Sequence, residues 1–318
     1  MNKNVYISDL VYFSGDKLSH HPDCLVIEEA CLQAAQDSYA DKISRMCITG
    51  IDLLRKRRRQ ENFCHFPIYF GSRFGPLKSV HDFDKTCVVN GALYAKPGLF
   101  PNTVLNAPAC RAGIAHQITG PVYNVFNGIS ASLDAIGLAY MALHNGLFCE
   151  GIVSSAEEYS PLQSCTVAPE IIYVESFGAL LLTNQKTYGY EIIGYEKRGY
   201  GDSPKETLIE MIVKYHLEQY CGVSVHFANP LKGQTSLFLG DADRSSVHFH
   251  FTDIDYGGAG GFSAVNSLKE SCRLAEKRQN TLDFIVNLCS GYLSVLALRY
   301  VWQEEKNKRK EKEALADA

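Results

Sequence analysis

The strongest constraint on the fold of this chain is an alternation. Short apolar stretches rich in β-branched residues alternate with longer stretches of helical pattern along most of its length. That pattern requires buried strands covered by helices, an α/β architecture. Strands are expected over Phe66–Ser72, Phe148–Glu158, Ser176–Asn184, Tyr190–Gly201 and Leu282–Ser290. Helices are expected over Val26–Ile43, over Ser132–Gly146, and over Pro204–Gly222, which opens on Pro and acidic residues and stops at Gly.

At 318 residues the chain is long for one compact core and fits two fused half-size units. A formal charge of -4 gives no general electrostatic reason to seek nucleic acid or an anionic membrane. No apolar run approaches the roughly 20 residues of a membrane span, and "MNKNVYISDL" lacks the pattern of a secretory leader. The chain therefore reads as cytoplasmic. Its 11 cysteines include no C-x-x-C pair and read mostly as small buried apolar side chains. His20, His21, His248 and His250 are not spaced with cysteines as zinc ligands, so no metal site is expected.

The most suggestive local feature is "NVFNGISASLDAIG" (Asn124–Gly137), where a strand-like run meets a turn at Gly128 and opens into a helix. Gly128–Ser132 nearly matches the G-x-S-x-G nucleophile elbow, with Ser132 in place of the last glycine. Ser130 is thus a candidate nucleophile for a hydrolase or acyltransferase; its alternative role is to cap or pack the helix. The residue at the head of the helix, however, is Ile129. "DYGGAGGFSAVNSL" (Asp255–Leu268) carries neither a dinucleotide fingerprint nor a phosphate-loop ending, and reads as a glycine-rich turn entering a helix. Cys110 beside Arg111 is a formal thiol candidate, read instead as a buried inert side chain. The run Arg55–Arg59 is a solvated cationic face or a docking site for an acidic partner.

Set in order, these segments resemble a β-ketoacyl synthase of the thiolase superfamily. "PGLFPNTVLNAPACRAGIAHQITGPVYNV" (Pro97–Val125) carries the FPN-x-x-x-N-x-x-A pattern and the following Gly-Pro. "FGSRFGPLKSVHDFD" (Phe70–Asp84) is similar to the strand and turn leading into the early helix. "SLDAIGLAYMALHNGLFCEGIVSSAEEYSP" (Ser132–Pro161) and "ESFGALLLTN" (Glu175–Asn184) follow in family order. "DYGGAGGFSAVNSL" and "VNLCSGYLSVLAL" (Val286–Leu298) match more faintly.

The resemblance implies a thiolase-like fold: two similar αβα halves forming a five-layered core, shortened relative to the family. The halves would be residues 1–184 and 185–303, with 304–318 a charged tail. It implies no cofactor. The family's nucleophilic cysteine falls at Ile129, its G-H-T histidine at Tyr256, and its other histidine has no counterpart in "NPLKGQTSLFLGDADRSS". Those departures resemble the chain length factor, the inactive subunit that pairs with an active ketosynthase in type II polyketide systems. The implied partners are an active β-ketoacyl synthase, as a heterodimer, and acyl carrier protein. By family position Phe74, Leu77, Leu99 and Phe100 are expected to line an acyl tunnel, and Arg57, Arg58 and Arg59 to dock the carrier. A structural relic that only binds the carrier is the remaining alternative.

Overall fold

The computed structural model describes residues 2–18, 24–32, 40–58, 63–165, 172–187, 189–231, 238, 247–252, 254–274 and 281–301. In chain order, the first part of the fold contains β1 (Val5–Ser14), β2 (Lys17–Leu18), β3 (Cys24–Val26), α1 (Lys42–Arg58), β4 (Ile68–Gly71) and α2 (Leu77–Asn90). α3 (Ala107–Ala115), β5 (Val122–Val125), α4 (Ala131–His144), β6 (Glu150–Glu157), β7 (Ile172–Val174) and β8 (Ser176–Thr183) follow. The remainder comprises β9 (Gly189–Gly199), α5 (Pro204–Val213), β10 (Gly222–Phe227), β11 (Val247–His250), β12 (Ile254–Asp255), α6 (Gly260–Leu274), β13 (Thr281–Cys289) and β14 (Tyr292–Val301).

Ten strands form one sheet in the order β11-β10-β13-β14-β9-β1-β8-β6-β4-β5. The order is a palindrome about the β9/β1 junction. Outward from it, each half runs through two antiparallel pairings in succession and then two parallel ones. β1 and β9 pair antiparallel, Val5 opposite Ile192. A small second sheet orders β12-β7-β3-β2.

Three apolar clusters mark where the helices lie. One joins α1 and α3 to the outer face of β4, β6 and β8. Another joins α5 to β10, β13 and β14. Between them, α4 and α6 pack on each other and on strands of both halves. The result is five layers, helices alternating with the two half-sheets.

Local sequence explains the placement. β6 and β8 are buried on both faces, as strands covered on both sides must be. α4 is buried almost all round, so it suits a central layer. Its small residues let strands approach: a Cβ at Gly137 would strike the Tyr195 ring of β9.

The five expected strands stand within a few residues of their expected limits, and so does α4. Two expected helices do not. Val26–Ile43 gives way to β3 and a single 3-10 turn at Glu29–Cys31, because Leu25 and Val26 are recruited into pairing with β2 and β7. The helix there begins only at Lys42, where the Asp41 carboxylate accepts from the Ser44 amide at 3.1 Å; residues 33–39 lie outside the described ones. Pro204–Gly222 is cut at Val213, since His216 sits in the left-handed region at φ 52° and Gly222 starts β10. Trp302 and the charged tail lie outside the described residues.

Candidate functional site

The site is built from two turns that each feed a central helix. β5 ends at Val125, and Gly128 takes φ 82° to start the 3-10 turn Gly128–Ser130 that runs into α4. A side chain at Gly128 would meet nothing nearby, so the glycine is there for its backbone. The second turn, Gly257–Ala259, follows Tyr256 and runs into α6. The turns pack against each other, and the ends of β6 and β13 abut them. The sequence segments that carry Ile129 and Tyr256 are therefore brought together.

A carboxylate locks each turn. Asp134, one turn into α4 and 4% exposed, accepts from Tyr195 at 2.9 Å, Lys197 at 2.8 Å and Ser130 at 3.1 Å, and also from Asn127. Tyr292 donates to the Asn127 carbonyl at 2.9 Å and lies 3.2 Å from Ser130 Oγ, while the Lys197 ammonium sits 4.0 Å from its ring centroid. Burial pushes the Tyr292 phenol up to about 12. At the second turn, Glu157 at the end of β6 accepts from the Gly258 amide at 3.0 Å and from the Arg73 amide. Burial raises Glu157 to about 7, opposed by those hydrogen bonds. Arg73 in turn reaches Asp255 at 3.0 Å. Gly261 donates to Ser132 Oγ at 3.1 Å, joining the two helix heads.

The chemistry available here is limited by burial. Ile129 is half-buried at the helix head, and its carbonyl accepts from Asn287 at 3.3 Å. Its side chain can neither attack a carbonyl nor move a proton. Ser130 is fully buried and makes no side-chain capping bond to the helix; its hydroxyl donates to Asp134 and lies beside Tyr292, a packing role rather than that of a hydroxyl presented to substrate. Cys289, which reasoning from sequence passed over, lies beside Ser130 and Tyr292, but burial raises its thiol above the ordinary range, away from a thiolate. Cys110 is half-buried and is likewise raised by burial, while Arg111 turns to Asn102 Oδ1 at 2.6 Å.

Cysteine burial is more varied than expected. Among the described cysteines Cys24, Cys47 and Cys289 are buried, whereas Cys31, Cys149 and Cys221 are exposed. No helix among the described residues is long and apolar enough to cross a membrane.

The remaining expected residues fall in three places. Phe74 and Leu77 are half-buried at the start of α2. Leu99 and Phe100, in the 3-10 turn Pro97–Asn102 packed on α2, are 37% and 56% exposed. Arg57 and Arg58 are exposed in the last turn of α1, where positive charge complements the helix dipole, and Arg57 also donates to the Leu10 carbonyl at 2.8 Å. Arg59 lies outside the described residues.

Comparison by sequence finds no matching protein family and no matching curated protein. Comparison by structure finds many solved chains. One belongs to a type II polyketide synthase acyl-carrier protein in complex with its ketosynthase bound to the hexaketide, at TM-score 0.72 and 14% identity, covering 95% of this chain and 100% of that one. The ishigamide ketosynthase/chain length factor matches at 0.69 and 18%, covering 83% of this chain and 82% of its own. A β-ketoacyl synthase from Burkholderia phymatum matches at 0.68 and 12%, covering 94% and 100%. With its palindromic sheet and its two central helices, this chain has the thiolase-like fold of the β-ketoacyl synthases.

Proposed function

We propose that the chain is a non-catalytic ketosynthase-like subunit of the chain-length-factor type, which pairs with an active β-ketoacyl synthase during elongation of a chain carried by acyl carrier protein. The observation that carries this reading is Ile129 at the head of α4, the place from which a nucleophile on this fold would act. Tyr256 at the head of the second turn supports it: a phenol in place of an imidazole does not supply the same proton transfer at neutral pH.

Pairing is supported by the surface. Val88, Val89, Leu93, Tyr94, Leu99, Phe100, Val104 and Leu105 are all exposed within one segment. Among the described residues β5 is the edge strand of the sheet, and its Tyr123 is exposed. Exposed apolar side chains and a strand at the sheet edge are what a subunit interface covers. In this reading Leu99 and Phe100 meet the partner, and with Phe74 and Leu77 they limit the length of chain that can be buried. Arg57, Arg58 and Arg59 offer positive charge to the acidic carrier, and the halves divide at residues 184/185.

Co-expression with an active ketosynthase tests the proposal. The expected result is a stable one-to-one complex whose product length shifts when Phe74 or Phe100 is changed to Ala. A soluble, fully stable monomer indifferent to any ketosynthase sinks it. A hydrolase based on Ser130 requires labelling by a serine-directed phosphonate that is lost in Ser130→Ala; the burial of Ser130 argues against it.

A further inference from the structure

One surface segment is folded without a core of its own. Across residues 77–101 no residue is buried, although α2, the 3-10 turn Ala92–Tyr94 and most of the turn Pro97–Asn102 lie within it. Every other α-helix among the described residues keeps buried positions. The segment holds to itself: α2 packs on both turns, and Phe83 meets Phe100 edge-to-face at 5.9 Å between centroids. Gly75, at φ 59°, turns the chain out after β4, and the buried Asn102, which accepts from Arg111 at 2.6 Å, brings it back. A segment with so little buried contact belongs to the low end of local stability.

Its root on the body is polar. Ser79 Oγ donates to Asp41 Oδ2 at 2.6 Å, and the 3-10 turn Pro161–Cys165, which follows Glu158 closely, packs on α2. Glu158 is buried, and its Oε2 has no hydrogen-bond partner. Among the described residues, the charges that act on it most are those of Asp41 and Lys42 at the start of α1, Glu175 before β8 and Lys78 of α2. Glu157 precedes it in β6 but is turned to the Arg73 and Gly258 amides. Lys42 is committed to Glu175 at 2.6 Å. Lys78, 43% exposed, is bound to Asp82 at 2.5 Å and also feels Glu29. Of these two cations, Lys78 is the one carried by the coreless segment.

We propose that residues 77–101 form a hinged flap that is drawn onto the body when Glu158 gives up its proton, with Lys78 as the group that responds. While Glu158 is neutral, Lys78 stays with Asp82. An ionised Glu158 is a third negative charge beside Asp41 and Glu175; with Lys42 already engaged, the attraction falls on Lys78 and pulls α2 inward. The added repulsion acts between residues of the body and leaves the neutral Ser79 tether in place. Burial, with Asp41 and Glu175 adding to it, pushes the Glu158 carboxyl up to about 8, so the flap tightens as pH rises through that value. The sign is opposite to that of whole-fold stability, which the same buried charge lowers. Where the chain acts as a partner subunit, as proposed above, the flap carries Leu99 and Phe100, and proton release fixes the surface that meets the ketosynthase. The latch itself does not depend on that reading.

Hydrogen–deuterium exchange of the full chain at pH 6.5 and pH 9, corrected for intrinsic exchange rates, tests the proposal. Protection across 77–101 is expected to rise about fivefold at the higher pH, while protection of α4 stays level or falls. The rise is expected to vanish in Lys78→Met and in Glu158→Gln. Because Lys78 is exposed, Lys78→Met keeps the test usable if Glu158→Gln folds poorly. Equal protection at the two pH values, a rise that survives Lys78→Met, or an equal rise in α4 overturns the flap. A flap that responds in a chain that pairs with no ketosynthase supports the latch and sinks the pairing alone.

Discussion

The heads of α4 and α6 occupy corresponding places in the two halves of a palindromic sheet, yet they are held by different chemistry. The α4 head is fixed by Asp134 of its own helix, whose donors Tyr195 and Lys197 come from β9 of the other half. The α6 head is fixed by Glu157 of the opposite half, which receives backbone amides and has no direct cationic side-chain partner in its hydrogen bonds. Asp134 is given a cation and two hydroxyls, whereas at Glu157 burial outweighs the Arg73 and Gly258 amides, the Ser72 hydroxyl and the Arg73 charge and drives the carboxyl toward protonation. Each helix head is thus tied to the other half of the fold. That cross-linking is a reason for the pedestal under Ile129 to persist without a nucleophile on it.

The largest expected effect that sharpens this contrast is at Asp134. Asp134→Ala leaves Tyr195, Ser130, Asn127 and the partly exposed Lys197 without their acceptor, and is expected to cost about 3 kcal/mol in urea unfolding. A loss below about 1 kcal/mol would remove the α4 lock from the account. Next come the two turn glycines. Gly258→Ala places a Cβ against the Arg73 amide and Glu157, and is expected to cost about 2–3 kcal/mol. Gly128→Ala meets no atoms and suffers only its positive φ, about 1 kcal/mol. The reverse order in thermal melts would show that the α6 turn has room to move.

The last effect is a pH dependence. Burial raises Glu157 to about 7 and Glu158 to about 8, against an ordinary 4.5. Glu158 also feels the negative charges of Asp41 and Glu175, and its Oε2 finds no hydrogen-bond partner among the described residues. A raised carboxyl favours the protonated form in the folded state, so the fold binds more protons than the unfolded chain and stability falls as pH rises from about 4.5 to about 8. Glu158→Gln is expected to flatten that fall, so that its stability at pH 9 relative to pH 5 exceeds that of the wild type. An unchanged slope in denaturant titrations at the two pH values would contradict the assignment.

Much of this architecture can be read in the sequence where the signal is local. β8 and β13 declare themselves by their apolar stretches, and the glycine-rich entry to α6 by its composition. The failures have tertiary causes. Val26 looks helical until the pairing with β2 claims it. β10 and β11 escaped notice because their inward positions are Ser224, His226, His248 and His250, which interrupt the apolar run a strand is expected to show. At the candidate site Ile129 and Tyr256 could be singled out by position. The Asp134 lock could not, since its partners Tyr195 and Lys197 lie 61 and 63 residues along the chain.

The central claim, that catalysis is left to a partner, is tested most directly by following the acyl group. A complex of this chain with an active ketosynthase is incubated with carrier protein bearing a radiolabelled acyl chain, then denatured, and the subunits are separated. The account predicts label on the partner subunit alone, both for the wild type and for Ser130→Ala. Label covalently attached to this chain, lost on changing Ser130 or Cys289, would contradict it.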